Sequence, residues 1–159
     1  MIEEQEQPKM METGGIPGAL LMGLKEKYQL VGGDGYASTN PKVVTVSKSG
    51  MLVARNKGKS TITVTAGGSL IGTCLVTVKN APKEITLPKK QSTVVGQSII
   101  LSASVKGGVS AGITWTSSNP AVAVVDSTGF VTGVGMGKAK ITAKTYNKKK
   151  ATCTVFLPA

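Results

Sequence analysis

Apolar and polar residues alternate along short segments of the chain, most regularly near its C-terminus. AKITAKTY (139–146) places its Ala and Ile side chains on one face and its lysines on the other, and TCTVFL (152–157) does the same with Cys153, Val155 and Leu157. Further apolar or alternating segments lie at 98–105, 113–117, 121–126 and 130–134. A period of two, broken by turns about every 8–12 residues, is typical of an all-β sandwich or barrel.

The pattern occurs twice along the chain. Asn40-Pro41 returns as Asn119-Pro120, an offset of 79 in residue number, and at this offset a gapless comparison of 36–78 with 115–157 gives 13 identities in 43 positions. Repeats of this kind indicate two units of one architecture. We therefore predict an all-β fold made of two tandem β-sandwich domains.

Continued backwards, the same register places Leu20-Leu21-Met22 on 99–101, and residues 5–9 on the apolar segment 84–88. The polar residues at 5–9 cannot fill a core, so the first strand of the first domain is in doubt. We predict an N-terminal arm at 1–18 (an attachment segment or a divergent first strand), a domain at 19–79 and a domain at 80–159. The short linker at 79–83 favours a fairly stiff connection.

The segment WTSSNPAVAVVDSTGFVTGVGMGKAKITA (115–143) resembles the group 2 bacterial immunoglobulin-like domain family. The matching elements are Trp115, Ser117-Ser118-Asn119-Pro120, Val122 to Asp126, Gly129 with Val131, Gly137, and Ile141 to Ala143. The first repeat is similar but weaker, with Tyr36, Ser47 and Arg55 in place of Trp, Asp and Val. The resemblance implies an Ig-like sandwich without the antibody-type disulfide and without enzyme activity.

Composition argues against catalysis and metal binding. The chain has no histidine and two cysteines, Cys74 and Cys153. The commonest general base is therefore missing, and there are too few ligands for a typical zinc site. We predict no catalytic residue, no cofactor site and no metal site. The hydroxyls around Asn119 and the carboxylate of Asp126 are interpreted as turn-forming groups. Trp115 is interpreted as a core residue and the cysteines as two buried free thiols.

The formal net charge is +11, of which residues 1–27 contribute −2 and the remainder +13. Lys148, Lys149 and Lys150 are candidates for contact with an anion or an acidic surface, the alternative being a solvated tip of the hairpin loop 147–150. Aromatic residues make up 4% of the chain, too few to stack on bases, so no specific nucleic acid is expected. No stretch reaches the length of a membrane span, so no membrane is expected as a partner.

The N-terminal residues suggest two functional hypotheses. The first residues are acidic and no apolar run is long enough for a secretory signal, so we expect synthesis in a cytoplasm. Together with the family resemblance, this favours a structural protein of a tailed-phage virion. The alternative is a bacterial cell-surface adhesin or cell-wall binding module.

In the virion hypothesis the chain is a capsid or tail decoration or accessory protein whose Ig-like domains mediate attachment and surface display. The candidate attachment arm contains Met10, Met11 and Ile16. The expected partners are capsid or tail proteins, with weak contact to a bacterial surface glycan, and the oligomeric state on the virion is open.

Overall fold

A computed structural model describes residues 15–159 of the chain. This part forms sixteen β-strands and no helix, which confirms the predicted all-β fold class. Between residues 15 and 159 no helix is long and apolar enough to cross a membrane. The chain divides into two compact units. The first contains the described residues up to Ala81 together with the loop Gly107–Ala111, and the second contains Pro82–Lys106 and Gly112–Ala159.

Seven strands lie in the described part of the first unit. They are β1 (Ala19–Gly23), β2 (Lys27–Gln29), β3 (Gly35–Ser38), β4 (Val44–Val46), β5 (Met51–Ala54), β6 (Gly58–Ala66) and β7 (Ser69–Lys79). One sheet has the order β1-β7-β6-β3 and the other has the order β2-β5-β4.

Nine strands lie in the second unit, all within the described residues. They are β8 (Glu84–Thr86), β9 (Lys90–Ser92), β10 (Ser98–Ile100), β11 (Ser104–Lys106), β12 (Ile113–Ser117), β13 (Ala123–Val125), β14 (Phe130–Gly133), β15 (Gly137–Thr145) and β16 (Lys150–Leu157). Two of its sheets have the orders β9-β16-β15-β12 and β10-β14-β13, and β8 pairs with β11.

The strand pairings are those of an Ig-like sandwich. In each unit the last strand, β7 or β16, pairs antiparallel with the strand before it and parallel with an early strand, β1 or β9. Both sheets of a unit contribute buried aliphatic side chains to one core, such as Leu52 and Ile62 in the first unit and Val131 and Ile141 in the second. This burial of apolar surface is the main stabilising contribution to each sandwich.

The predicted alternation is confirmed at the C-terminus. Ala139, Ile141 and Ala143 are buried on β15, and Cys153, Val155 and Leu157 are buried on β16. The hairpin that joins these strands is shorter than predicted, because Lys150 already pairs with Lys144 in the sheet. The apolar run at 98–105 is also not one strand, since it is divided between β10 and β11, which belong to different sheets.

The repeat register is confirmed over the C-terminal part of each unit but is wrong before it. The first residues of β4, β5 and β6 precede those of β13, β14 and β15 at the predicted offset of 79 in residue number. In contrast, Lys27 stands opposite Val53 and Ser98 stands opposite Thr132. Lys27 therefore corresponds to Ser98, and β2 corresponds to β10 at an offset of 71.

The predicted match of Leu20-Leu21-Met22 with 99–101 is therefore incorrect. Leu20 to Met22 lie in β1, which pairs with β7 as β9 pairs with β16. The reason is an insertion of eight residues, the difference between the offsets of 79 and 71, located between β10 and β12. The inserted region contains β11 and the loop Gly107–Ala111.

The corrected register changes the position of the first apolar residues. At the offset of 71, Ile16-Pro17 corresponds to Leu87-Pro88 rather than to a polar segment. Ile16 packs against the first core and Leu87 packs against the second. Each unit therefore has an apolar residue before a proline at the entry to its sandwich.

Candidate functional site

Polar side chains of the hydroxyl-rich stretch 115–129 form hydrogen bonds with backbone groups of the sandwich. Ser117 Oγ donates to the carbonyl of Ala123 at 2.6 Å and accepts from the N–H of Asn119 at 3.2 Å. Ser38, its counterpart in the first unit, makes the same two bonds, to Val44 at 2.7 Å and from Asn40 at 3.2 Å. The prediction that the serines before Asn119 bind local backbone is confirmed for Ser117, whereas Ser118 Oγ accepts from the N–H of Lys140 on β15 at 2.8 Å.

Asp126 also forms a turn, as predicted. Its Oδ1 accepts from the N–H of Thr128 at 2.8 Å, from Thr128 Oγ1 at 2.6 Å and from the N–H of Phe130 at 3.1 Å. These are the bonds of a short polar side chain that closes its own turn. Among residues 15–159 no group of three His, Cys, Asp or Glu side chains could hold a metal ion.

Cys74 and Cys153 are buried and free, as predicted. Burial raises the pKa of the Cys74 thiol to about 11 and also raises the pKa of Cys153. A buried thiol with a raised pKa is mostly protonated at neutral pH and is a poor nucleophile. Both side chains therefore behave as small apolar core residues.

The three candidate lysines of the last hairpin have different positions. Lys148 is exposed at the tip and has a left-handed backbone with a φ of 72°. Lys149 is exposed, and its N–H donates to Thr145 Oγ1 at 3.0 Å. Lys150 lies on the sheet as the direct partner of Lys144. The structure thus places one of the three, Lys150, on the sheet directly beside another lysine.

Five lysines lie on the outward side of the β9-β16-β15-β12 sheet, which we call the basic face. Residues 139, 141 and 143 of β15 point into the core, so the alternating residues between and around them point outward. The register places Lys90 beside Thr154, and Thr154 beside Lys140. The lysines of the basic face are Lys90, Lys138, Lys140, Lys144 and Lys150.

A shallow cleft lies on the basic face at its β9 edge. It has a volume of about 310 Å³ and is lined by Lys90, Gln91, Lys138, Thr154 and Phe156. The Phe156 ring is 43% exposed there. The cleft therefore combines two cationic groups with one apolar surface.

The first unit has different chemistry on the corresponding sheet. In the sequence alignment, the positions that match the five lysines carry Ala19, Lys59, Thr61, Thr65 and Ile71. The first unit therefore has one lysine at these positions where the second unit has five. The sequence does contain a signal for the basic face, since lysine occupies three of the four outward positions from 138 to 144. The contiguous lysine run at 148–150 is more conspicuous in the sequence than these alternating lysines. The predicted basic contact site was therefore assigned to that run.

The N-terminal candidates are only partly within the described residues. Met10 and Met11 lie outside them. Ile16 is half-buried and packs over β7, where a Cβ added to Gly72 would lie 3.1 Å from Ile16 Cδ1. Its side chain therefore belongs to the first sandwich, and an attachment role for it stays a prediction.

Comparison with known proteins identifies a family. Residues 75–155, about half of the chain, match the bacterial Ig-like domain (group 2) family. An uncharacterized protein of Clostridium acetobutylicum is 30% identical over 129 residues, which are 77% of this chain and 13% of that protein. Lacto-N-biosidase of Bifidobacterium bifidum is 54% identical over 43 residues, which are 27% of this chain and 4% of that protein. The chain thus spans a small part of both curated relatives.

Solved structures with a similar fold include two bacterial proteins. Domains 1–6 of the surface layer protein SbsC are 25% identical, with a TM-score of 0.42, and the match covers 79% of this chain and 20% of that one. A C-terminal fragment of intimin, solved with the intimin-binding domain of its translocated receptor, is 20% identical with a TM-score of 0.41, and the match covers 78% of this chain and 51% of that one.

Proposed function

The chain belongs to the bacterial Ig-like domain (group 2) family, and on this basis we propose that it is a non-catalytic contact module of a bacterial cell-surface protein. In this role the two units are tandem Ig-like domains, and their exposed sheet faces make the functional contacts. The module acts in adhesion or in binding to the cell wall. This is the second of the two hypotheses that the sequence suggested.

One observation carries the proposal. The polar side chains that could have formed a reactive site, such as Ser117 and Asp126, are held in turns of the sandwich, whereas the lysines of the basic face project from a sheet. A sheet face with projecting side chains suits contact with an extended surface, and function on such folds depends on surface sites.

The virion hypothesis stays a prediction. Its expected partners, capsid or tail proteins, are not represented among the proteins described above. The two hypotheses place the protein at different locations, on the cell surface or in the virion. An experiment that determines its location can therefore distinguish them.

The test is the location of the protein in its source bacterium. Antibodies raised against residues 15–159 should label intact cells as strongly as permeabilised cells, and a surface protease should remove the signal. Labelling only after permeabilisation would contradict the surface role. Recovery of the chain in purified virions by mass spectrometry would support the virion hypothesis instead.

A further inference from the structure

We infer that the basic face of the second unit binds a linear phosphate-bearing polymer of the bacterial envelope, built from polyol units joined by phosphodiesters. The inference rests on the proposed surface role and specifies its ligand. The inference concerns one side of one sheet, so binding should depend on the lysines of that side. A general attraction of a cationic protein to anions would depend on the net charge of the whole chain.

The first argument is the concentration of charge. The second unit contains ten lysines and two acids, Glu84 and Asp126. Glu84 lies on β8 and Asp126 lies in the turn before β14, so neither is on the strands of the basic face. Five of the ten lysines lie on this one sheet, and no acid on its strands is available to neutralise them.

The second argument is that the arrangement is unfavourable for the isolated fold. Lys144 and Lys150 are direct partners across β15 and β16, and like charges in such positions destabilise a sheet. At the corresponding point of its own hairpin the first unit pairs Thr65 with Leu70, which shows that the sandwich accommodates uncharged side chains there. A polyanion would remove the repulsion by supplying counter-charge.

The third argument is spacing. Successive outward residues on one strand lie about 7 Å apart, so Lys138 and Lys140 are separated by that distance and Lys144 lies about 14 Å beyond Lys140. Lys90 and Lys150 lie on neighbouring strands of the same face. The lysines thus form an extended array rather than a single pocket, which suits a chain with a repeated charge.

The cations and their neighbours have the chemistry to bind phosphate. The basic face has lysine and no arginine, since the one arginine of the chain is Arg55 in the first unit. Lysine is a common phosphate ligand that acts as a point charge, whereas the planar fork of arginine pairs bidentately with carboxylate and phosphate alike. Thr142 and Thr152 are cross-strand partners, and they lie between the Lys144–Lys150 pair and Lys140. Their hydroxyls can donate to phosphate or polyol oxygens.

Nucleic acid fits the face less well. Single strands bind through bases that stack on several aromatic side chains, and the basic face offers the half-exposed ring of Phe156. A polyol phosphate has no bases and needs no stacking. We therefore treat nucleic-acid binding as an outcome that would overturn the inference.

The test compares the full chain with two variants of equal charge. The first variant carries Lys90→Gln, Lys140→Gln, Lys144→Gln and Lys150→Gln, and removes four charges from the basic face. The control carries Lys27→Gln, Lys42→Gln, Lys48→Gln and Lys57→Gln, and removes four exposed charges from the first unit. Circular dichroism checks that both remain folded, with Trp115 fluorescence as a probe of the second unit and thiol labelling of Cys74 as a probe of the first.

Binding to poly(glycerol phosphate) is measured by calorimetry at several salt concentrations, with single-stranded DNA and polygalacturonate as comparison polymers. We expect the basic-face variant to lose roughly tenfold or more in affinity, and its slope of log K against log salt to fall by about three, while the control keeps most of both. Equal losses in the two variants, no binding by the unchanged chain, or tighter binding of DNA or polygalacturonate would overturn the inference.

The outcome is separable from that of the proposed function. A protein that labels on intact cells but loses no affinity in the basic-face variant retains its surface role and refutes the phosphate site. A protein that binds the polymer through the basic face but is found only inside cells refutes the surface role.

Discussion

Lys144 and Lys150 face each other directly across the last two strands of the second unit. We expect Lys144→Glu to convert this like-charge contact into an opposite-charge pair and to raise the free energy of unfolding by about 0.2–1 kcal/mol. The gain should shrink as salt is added, because exposed charges are screened. Urea denaturation followed by Trp115 fluorescence at low and high salt measures it.

The reverse control lies in the same unit. Lys106 on β11 is the partner of Glu84 on β8, so Lys106→Glu creates a like-charge pair and should lower stability. Shifts of the same sign in both variants would show that cross-strand charge does not determine the effect.

Lys25 has a left-handed backbone at a position where the second unit has glycine. Its φ is 71°, and its counterpart Gly96 has a φ of 87°. A left-handed backbone disfavours a residue with a Cβ, so Lys25→Gly should stabilise the first unit by about 1 kcal/mol. Pulsed thiol labelling of Cys74 over a urea series reports unfolding of the first unit.

Gly96→Lys is the matching change in the second unit. A Cβ at Gly96 would meet nothing within 4 Å, so any loss of stability comes from the backbone and not from a clash. We expect a loss of similar size, read from labelling of Cys153. An unchanged midpoint in both variants would contradict the strain at Lys25.

Glu26 is a buried carboxylate of the first unit, with 2% of its surface exposed. Its Oε1 accepts from the N–H of Gly23 at 3.0 Å and from the N–H of Ala111 at 2.9 Å. Glu26→Ala leaves both donors without that acceptor and should cost about 1–3 kcal/mol for the buried N–H of Gly23, and less for the partly buried N–H of Ala111. Glu26→Gln keeps an acceptor oxygen and should cost less.

The matched control for Glu26 is Gln97→Ala, because Gln97 is the exposed counterpart in the second unit. We expect this change to be nearly neutral when Cys153 labelling is used as the probe. A neutral Glu26→Ala would show that the bonds to Gly23 and Ala111 do not stabilise the first unit.

The first unit should lose stability in alkali through Cys74. Burial raises the pKa of this thiol from 9.0 to about 11, so the folded state retains a proton that the unfolded state releases first. The stabilisation is complete below about pH 9 and is lost as the pH rises from 9 toward 11. Cys74→Val should flatten this part of the stability curve, and an equally steep fall in the variant would exclude the thiol as its cause.

The C-terminal strands could be predicted because each has a buried and an exposed side. In β15 every second residue from 139 to 145 is buried, and this alternation is visible in the sequence. The turns were predictable for a similar reason, since the carbonyls of Asn40 and Asn119 each accept from two following N–H groups. Both features are marked by the types and spacing of residues that are close in sequence.

The N-terminal register could not be predicted from the same kind of signal. Leu20-Leu21-Met22 and Ile99-Ile100-Leu101 are both short apolar runs, but β1 pairs with β7 whereas β10 pairs with β14. Which partner a short apolar strand takes depends on contacts with distant strands, and the insertion before β12 concealed the correct alignment. The full basic face is equally hidden in the sequence, because Lys90 joins it only through the parallel pairing of β9 with β16.

The most direct test of the phosphate site is a nuclear magnetic resonance titration of the full chain with poly(glycerol phosphate). We predict that the methyl signals of Thr142 and Thr152, which lie between the lysines of the basic face, shift on binding, while those of Thr63 and Thr73 at the corresponding sites of the first unit do not. Equal shifts in the two pairs, or shifts confined to β13 and β14, would contradict the phosphate site.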